Sequence, residues 1–187
     1  MDVTIIESLT KDWGNGTIFS ECELLYNLAK QSKGDIVEIG SWVGKSTAFL
    51  AFGTNDGENK NVYAIDPHIY GTKERFLNNL KFLIQNGLSE KTIIPIAMSS
   101  EEAINSSQGF NEIDIGLIFI DGDHTYEGVK KDFDLWFNKL AINGHIAFHD
   151  SDWVAVDNFL KKEVYTRKDI EKVDIAGSIT YFRKKNV

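Results

Sequence analysis

The chain has 187 residues, 42% of them hydrophobic and 26% charged, with a formal net charge of −8. That length suits one domain able to bury a core without cross-links. The acidic balance argues against a nucleic-acid partner, which requires clustered Lys and Arg. Cys22 is the only cysteine, so no internal disulfide forms and a reducing compartment is expected. No apolar run reaches membrane-spanning length, and Met1–Glu7 lacks the basic start and long apolar stretch of a signal peptide. A cytoplasmic location with no membrane partner is therefore expected.

In chain order, a first helix is expected to open at Ser20, with Ser20 and Glu23 as a capping box and Phe19 with Leu24 as a hydrophobic staple. Apolar runs at Ile36–Ile39, Val62–Ile65, Thr92–Ile96, Gly116–Ile120 and His145–Phe148 read as strands covered on both faces. Helix-period runs fall between them. Phe76, Leu77, Leu80, Leu83 and Ile84 share one face, stopped by Asn86-Gly87. Tyr126, Val129, Phe133, Trp136, Phe137 and Leu140 share another, stopped by Asn143-Gly144. The alternation implies βαβ units. It breaks at the C-terminus, where 173–177 and 180–183 are two β runs around Gly177-Ser178 and predict an antiparallel hairpin. The expectation is one domain over 1–187, with a cap segment and helix in 1–33 and the core in 34–187.

The segment Glu38-Ile39-Gly40-Ser41-Trp42-Val43-Gly44-Lys45-Ser46 joins a strand to a helix through a Gly-rich turn, a place where α/β proteins hold cofactors. A phosphate-binding loop needs four residues between its first Gly and Gly-Lys-Ser, whereas Gly40 and Gly44 are separated by three. The dinucleotide fingerprint also fails, because position 42 is Trp. A nucleotide hydrolase survives as an alternative through Leu117–Asp121, which has the form of a Walker B strand. The pattern E-x-G-x-x-x-G resembles motif I of class I S-adenosylmethionine-dependent methyltransferases. The resemblance implies a Rossmann-like, doubly wound α/β fold with a seven-stranded sheet, mostly parallel and closed by an antiparallel C-terminal hairpin strand. It also implies S-adenosylmethionine as cofactor, with Glu38, Gly40, Ser41 and Gly44 at its amino-acid portion.

Asp66 ends the second strand, where an acid accepts hydrogen bonds from ribose hydroxyls. Ser99, in Ala97–Glu101, resembles the family's adenine-contacting turn and equally suits a helix cap. Two later blocks, Asp121-Gly122-Asp123-His124-Thr125-Tyr126-Glu127-Gly128 and His149-Asp150, lie where strands four and five end. Parallel neighbours would bring these acids and histidines together. Carboxylates with an imidazole can hold Mg²⁺ or another divalent cation, and an imidazole can accept a hydroxyl proton.

These blocks resemble the small-molecule and sugar O-methyltransferases related to macrocin O-methyltransferase, with the cephalosporin-hydroxylase-like proteins as kin. By that resemblance Asp121 also lies at the cofactor, Asp121, His149 and Asp150 are metal ligands, and His124 is the general base. In metal-dependent relatives the position matching His149 is usually acidic. Asp123 either replaces that carboxylate or orients His124. The implied activity is methyl transfer to a hydroxyl of a small molecule or sugar, with a non-catalytic cofactor-binding protein of the same fold as the other alternative. Met1–Phe19 and Ile69–Lys73 are candidate lids. Trp153 is expected at the acceptor, Trp42 either at the cofactor or buried against the N-terminal helix, and His68 and Lys45 at the surface. No face reads as an interface, which leaves a homo-oligomer open.

Overall fold

The computed structural model describes residues 1–14, 16–106, 110 and 112–187. A seven-stranded sheet runs in the order β3-β2-β1-β4-β5-β7-β6. Its strands are β1 (Asp35–Ile39), β2 (Val62–Ile65), β3 (Ile93–Ile96), β4 (Ile115–Ile120), β5 (Leu140–Phe148), β6 (Ile170–Ala176) and β7 (Ile179–Lys184). Pairing is parallel from β3 through β5 and antiparallel at β5–β7 and β7–β6. This is the expected sheet with its C-terminal hairpin.

Helices α1 (Val3–Thr10), α2 (Phe19–Gln31), α3 (Lys45–Asn55), α4 (Lys73–Gln85), α5 (Ser100–Ile104), α6 (Tyr126–Trp136) and α7 (Val154–Phe159) complete the layers. One apolar core, containing Leu25, Phe49, Phe52 and Phe76, joins α1 to α4 to one face of the sheet. The other, containing Phe133, Trp136, Phe148 and Phe159, lies under α6 and α7. Covering both faces explains why β4 reads as an unbroken apolar run and β1 as one broken only by Glu38. Among the described residues, no helix is long and apolar enough to cross a membrane.

Three local expectations are corrected. Helix α2 begins at Phe19 with Ile18 as its N-cap, so Ser20 and Glu23 form no capping box. The Ile18 amide instead donates to Glu21 Oε2 at 2.8 Å. The apolar face expected to continue through Leu140 ends earlier. Helix α6 stops at Trp136, a 3₁₀ turn covers Phe137–Lys139, and Leu140 already pairs with Ile115. Asn143, expected to stop a helix, lies inside β5 in the left-handed region (φ 68°), and the β4–β5 register shifts beside it.

Candidate functional site

The register builds the site. Ile96, Ile65, Ile39, Ile120 and Phe148 form one row across five strands. The next residues of four of those strands therefore emerge together: Asp66, Gly40, Asp121 and His149. Backbone bonds lock the step, with Gly40 N–H donating to Ile65 O (2.8 Å), Asp121 N–H to Ile39 O (2.8 Å) and His149 N–H to Ile120 O (3.0 Å). Above this edge lies a cleft of about 1060 Å³, where ligands of open α/β sheets bind.

At one end of the cleft, Gly40 has φ +94°, and a Cβ there would overlap the Asp121 carbonyl. Glycine is thus required twice, by conformation and by the close approach of β4. Gly44 (φ +93°) opens α3. Ser41 is buried and lines the cleft, and its hydroxyl has no hydrogen-bond partner among the described residues. A buried hydroxyl without a partner is costly, so Ser41 fits a polar ligand group.

Asp66 accepts from the Trp42 amide at 2.8 Å and from the His68 amide at 2.6 Å. Trp42 and His68 are both held at positive φ (49° and 52°). Such strain in non-glycine residues concentrates at functional sites. A carboxylate oxygen has room for more than one donor, so Asp66 can still accept from vicinal hydroxyls. These features fit S-adenosylmethionine: a glycine cradle, an orphaned hydroxyl and a fixed carboxylate.

Two expected cofactor residues serve the fold. Glu38 is fully buried outside the cleft and accepts from Ser46 Oγ and Thr47 Oγ1, both at 2.6 Å. It ties β1 to the first turn of α3 from beneath. Burial pushes its carboxyl up to about 7, against the pull of those two hydroxyls. Ser99 is the N-cap of α5, accepting from the Glu102 amide while Glu102 bonds back to its own amide. It borders the cleft as well.

At the other end, His124 Nδ1 lies 3.2 Å from Asp150 Oδ2, and its ring meets Trp153 with centroids 5.3 Å apart. Asp150 is also left-handed (φ 50°). Asp121 is held above the usual carboxylate range by burial, against the opposing contact with His149. Asp123 accepts from the Thr125 amide at 2.9 Å ahead of α6. It is a turn-forming acid, and among the described residues the gathered ligand atoms are those of Asp121, His124 and Asp150, without Asp123.

His149 is buried, with Nδ1 at 3.2 Å from Asp121 Oδ1 and 3.3 Å from Asp150 Oδ1. Nε2 is 3.4 Å from Glu21 Oε2. Nδ1 makes no hydrogen bond among the described residues, so the expected set Asp121, His149 and Asp150 gathers two carboxylates around an unpartnered buried nitrogen, a donor set a divalent cation could use. Asp121, His124 and Asp150 do bring one ligand atom each within 4.8 Å of one another.

Glu21 is the residue that no motif announced. Its side chain joins α2 to His149 and to the β6–β7 turn, where Ser178 donates through its amide (2.6 Å) and hydroxyl (2.8 Å) to Oε1. Lys45 and His68 are also not the exposed groups expected. Lys45 Nζ pairs with Glu7 of α1 at 3.2 Å instead of turning into a phosphate cradle. His68 Nδ1 is 2.9 Å from Thr72 Oγ1, and its ring packs on Phe76. Trp42 is half exposed and packs against Tyr70, not against the N-terminal helix. Both candidate lids border the cleft, through Trp13 and Thr17 and through Ile69 and Tyr70.

A family model described as a methyltransferase domain matches residues 37–151. A curated relative, the uncharacterized protein R132 of Acanthamoeba polyphaga mimivirus, is 33% identical over 132 residues, which are 68% of this chain and 57% of the relative. The chain thus spans little more than half the length of that relative. Among solved structures, the O-methyltransferase TomG of Streptomyces achromogenes, determined in complex with S-adenosylmethionine, has a TM-score of 0.70 at 13% identity. It is matched over 98% of this chain and 89% of that one. An S-adenosylmethionine-dependent O-methyltransferase of Thermotoga maritima gives 0.69 at 17% identity, over 100% and 72%. A methyltransferase of Geobacter sulfurreducens gives 0.68 at 17%, over 98% and 89%. These structural likenesses concern the fold, whereas the family model covers more than half of the sequence and includes every glycine and acid of the cleft discussed above: the chain belongs to the methyltransferase-domain family.

Proposed function

We propose that this chain transfers a methyl group from S-adenosylmethionine to a hydroxyl oxygen of a small molecule, sugars included. The observation that carries the reading is that Ser41 and Asp66, which suit the cofactor, share one cleft with His124, which suits an acceptor. When bound, the cofactor would supply an electrophilic methyl group, its thioether departing as S-adenosylhomocysteine. Ser41, Asp66 and the Gly40 turn bind and orient it. Asp150 holds His124 through Nδ1, which leaves Nε2 as the proton acceptor. As the acceptor oxygen attacks, its proton passes to Nε2, and Asp150 stabilises the imidazolium that forms. Positioning supplies much of the rate in such an in-line displacement. Trp153 beside His124, and Trp42 with Tyr70, offer flat apolar walls for an acceptor.

The alternative of a nucleotide hydrolase finds no support in the short Gly40–Gly44 turn or in Lys45, which is engaged by Glu7. The test uses methyl-labelled S-adenosylmethionine with a panel of hydroxylated small molecules. Label should appear in an O-methyl product and be lost in His124→Ala. Cofactor binding without transfer to any acceptor would favour a non-catalytic binding protein. Absence of cofactor binding would overturn the reading altogether.

A further inference from the structure

Asp132 puts a carboxylate on the buried face of α6. Its neighbours there, Val129, Phe133 and Trp136, lie in the apolar core, and Asp132 itself is 6% exposed. A carboxylate taken out of water needs a cation or several donors. Among the described residues Asp132 has no ion pair, and its one hydrogen bond comes from Ser100 Oγ at the start of α5. The basic neighbour Lys131 pairs with Glu101 instead, at 2.6 Å. The fold therefore leaves a buried carboxylate with unused acceptor capacity, a local conflict that core packing does not explain.

That capacity opens on the cleft. Gly128, Lys131 and Asp132 line it as one stripe of α6, the latter two standing three and four positions after the first. Gly122 lines it too, and a Cβ there would stand 3.4 Å from Asp132 Oδ2 and 3.3 Å from Ile39 Cγ2. The bare glycine thus leaves a space bordered by a carboxylate oxygen and an apolar wall. Asp66, the acid suited to a ribose, is flanked in the cleft lining by Ile65 and Pro67. The other acids of α5 and of the turn before α6 are engaged: Glu102 in the cap of α5, Glu101 by Lys131 and Asp123 by the Thr125 amide.

We infer that Asp132 reads the base of the cofactor: Oδ2 accepts from the exocyclic amino group of adenine while Ser100 Oγ holds Oδ1. This rests on the methyltransferase reading, in which the Gly40 turn takes the amino-acid portion and Asp66 the ribose. Adenine is flat, and its amino group is the only N–H donor on the edge of a base joined to ribose. A carboxylate accepts only, so it matches that amino group and repels the oxo group that hypoxanthine carries at the same position. The amino group in turn gives the buried carboxylate its second donor. Asp132 meets the cofactor away from the reacting atoms, which makes it a binding residue and not a catalytic one.

The experiment is calorimetry of the full chain with S-adenosylhomocysteine and with S-inosylhomocysteine, whose base carries an oxygen in place of the amino group. Wild type is expected to bind the inosine form at least ~100-fold more weakly, because a buried acceptor then faces another acceptor. In Asp132→Asn the carboxamide brings a donor to that oxygen. The variant should bind the adenosine form about 10–100-fold more weakly than wild type does, and the inosine form more tightly than wild type does. Equal wild-type affinity for the two forms would overturn the inference. So would a folded Asp132→Asn that keeps the wild-type preference. If Asp132→Asn fails to fold, Asp132→Ala decides by the same comparison: its preference should fall toward parity, and an unchanged preference would overturn the inference. No wild-type binding of either form would overturn the methyltransferase reading and this inference with it, whereas equal binding of both removes this inference alone.

Discussion

Asp150 Oδ2 lies 3.2 Å from His124 Nδ1, and the Asp150 backbone is in the left-handed region (φ 50°). A carboxylate behind one imidazole nitrogen fixes the tautomer and leaves the other nitrogen basic. Removing the imidazole should cost turnover without costing cofactor binding. His124→Ala is expected to lower kcat by ~10²–10⁴-fold, the usual contribution of a positioned base, with unchanged affinity for S-adenosylhomocysteine. Asp150→Asn should lower kcat by a smaller factor. Steady-state kinetics beside calorimetry check both.

Glu21 and His149 form a buried pair whose stability contribution has a defined pH window. Glu21 is lowered from 4.5 to about 2 by its bonds to His149, Ser178 and Ile18, which overcome the opposing effect of burial. Its contribution is complete above pH 4.5 and is lost as pH falls through about 2. His149 is raised from 6.5 to about 11, so its contribution is complete below 6.5 and is lost as pH rises through about 11. Both are complete between pH 4.5 and 6.5. Glu21→Gln should cost roughly 3–5 kcal/mol there, the usual loss on breaking a buried pair. The cost should shrink at alkaline pH. Urea unfolding of both proteins at several pH values measures it.

Glu38 makes the opposite demand. Burial raises it from 4.5 to about 7, so the folded chain binds this proton more tightly than the unfolded one. Its effect is a stability that is highest below pH 4.5 and declines as pH rises through about 7. Glu38→Gln should remove that part of the decline. Midpoints of thermal unfolding for the two proteins between those pH values provide the check, and parallel curves would show that Glu38 carries no such load.

Gly40 is fixed by its positive φ and by the Asp121 carbonyl against it. Gly40→Ala should destabilise the chain by more than the roughly 1–3 kcal/mol of an unfavourable backbone conformation, because β1 and β4 must also separate. Chemical denaturation reads the loss directly.

The strand ends of the site were legible because β1, β2, β4 and the end of β5 are buried on both faces, and such strands advertise themselves as mostly apolar runs that stop at a polar residue or glycine. Asp66, Gly40, Asp121 and His149 were placed at those ends from sequence, and the register aligns them. What burial decides was not legible. Glu38 has the motif of a cofactor residue, yet its two oxygens are taken by Ser46 and Thr47. Glu21 has no motif, since its partners His149 and Ser178 are more than a hundred residues away. The Trp136-Phe137-Leu140 spacing continues a helical face, but Leu140 gains a strand partner in Ile115, and tertiary pairing overrides local periodicity.

The proposed reading places S-adenosylmethionine on the Gly40 turn, Ser41 and Asp66. Calorimetry with S-adenosylhomocysteine tests it most directly. One molecule should bind per chain, and Asp66→Ala should weaken binding about 10–100-fold, corresponding to ~1.5–3 kcal/mol for a hydrogen bond to a charged group. No binding of S-adenosylhomocysteine, with ATP bound in its place, would contradict the account.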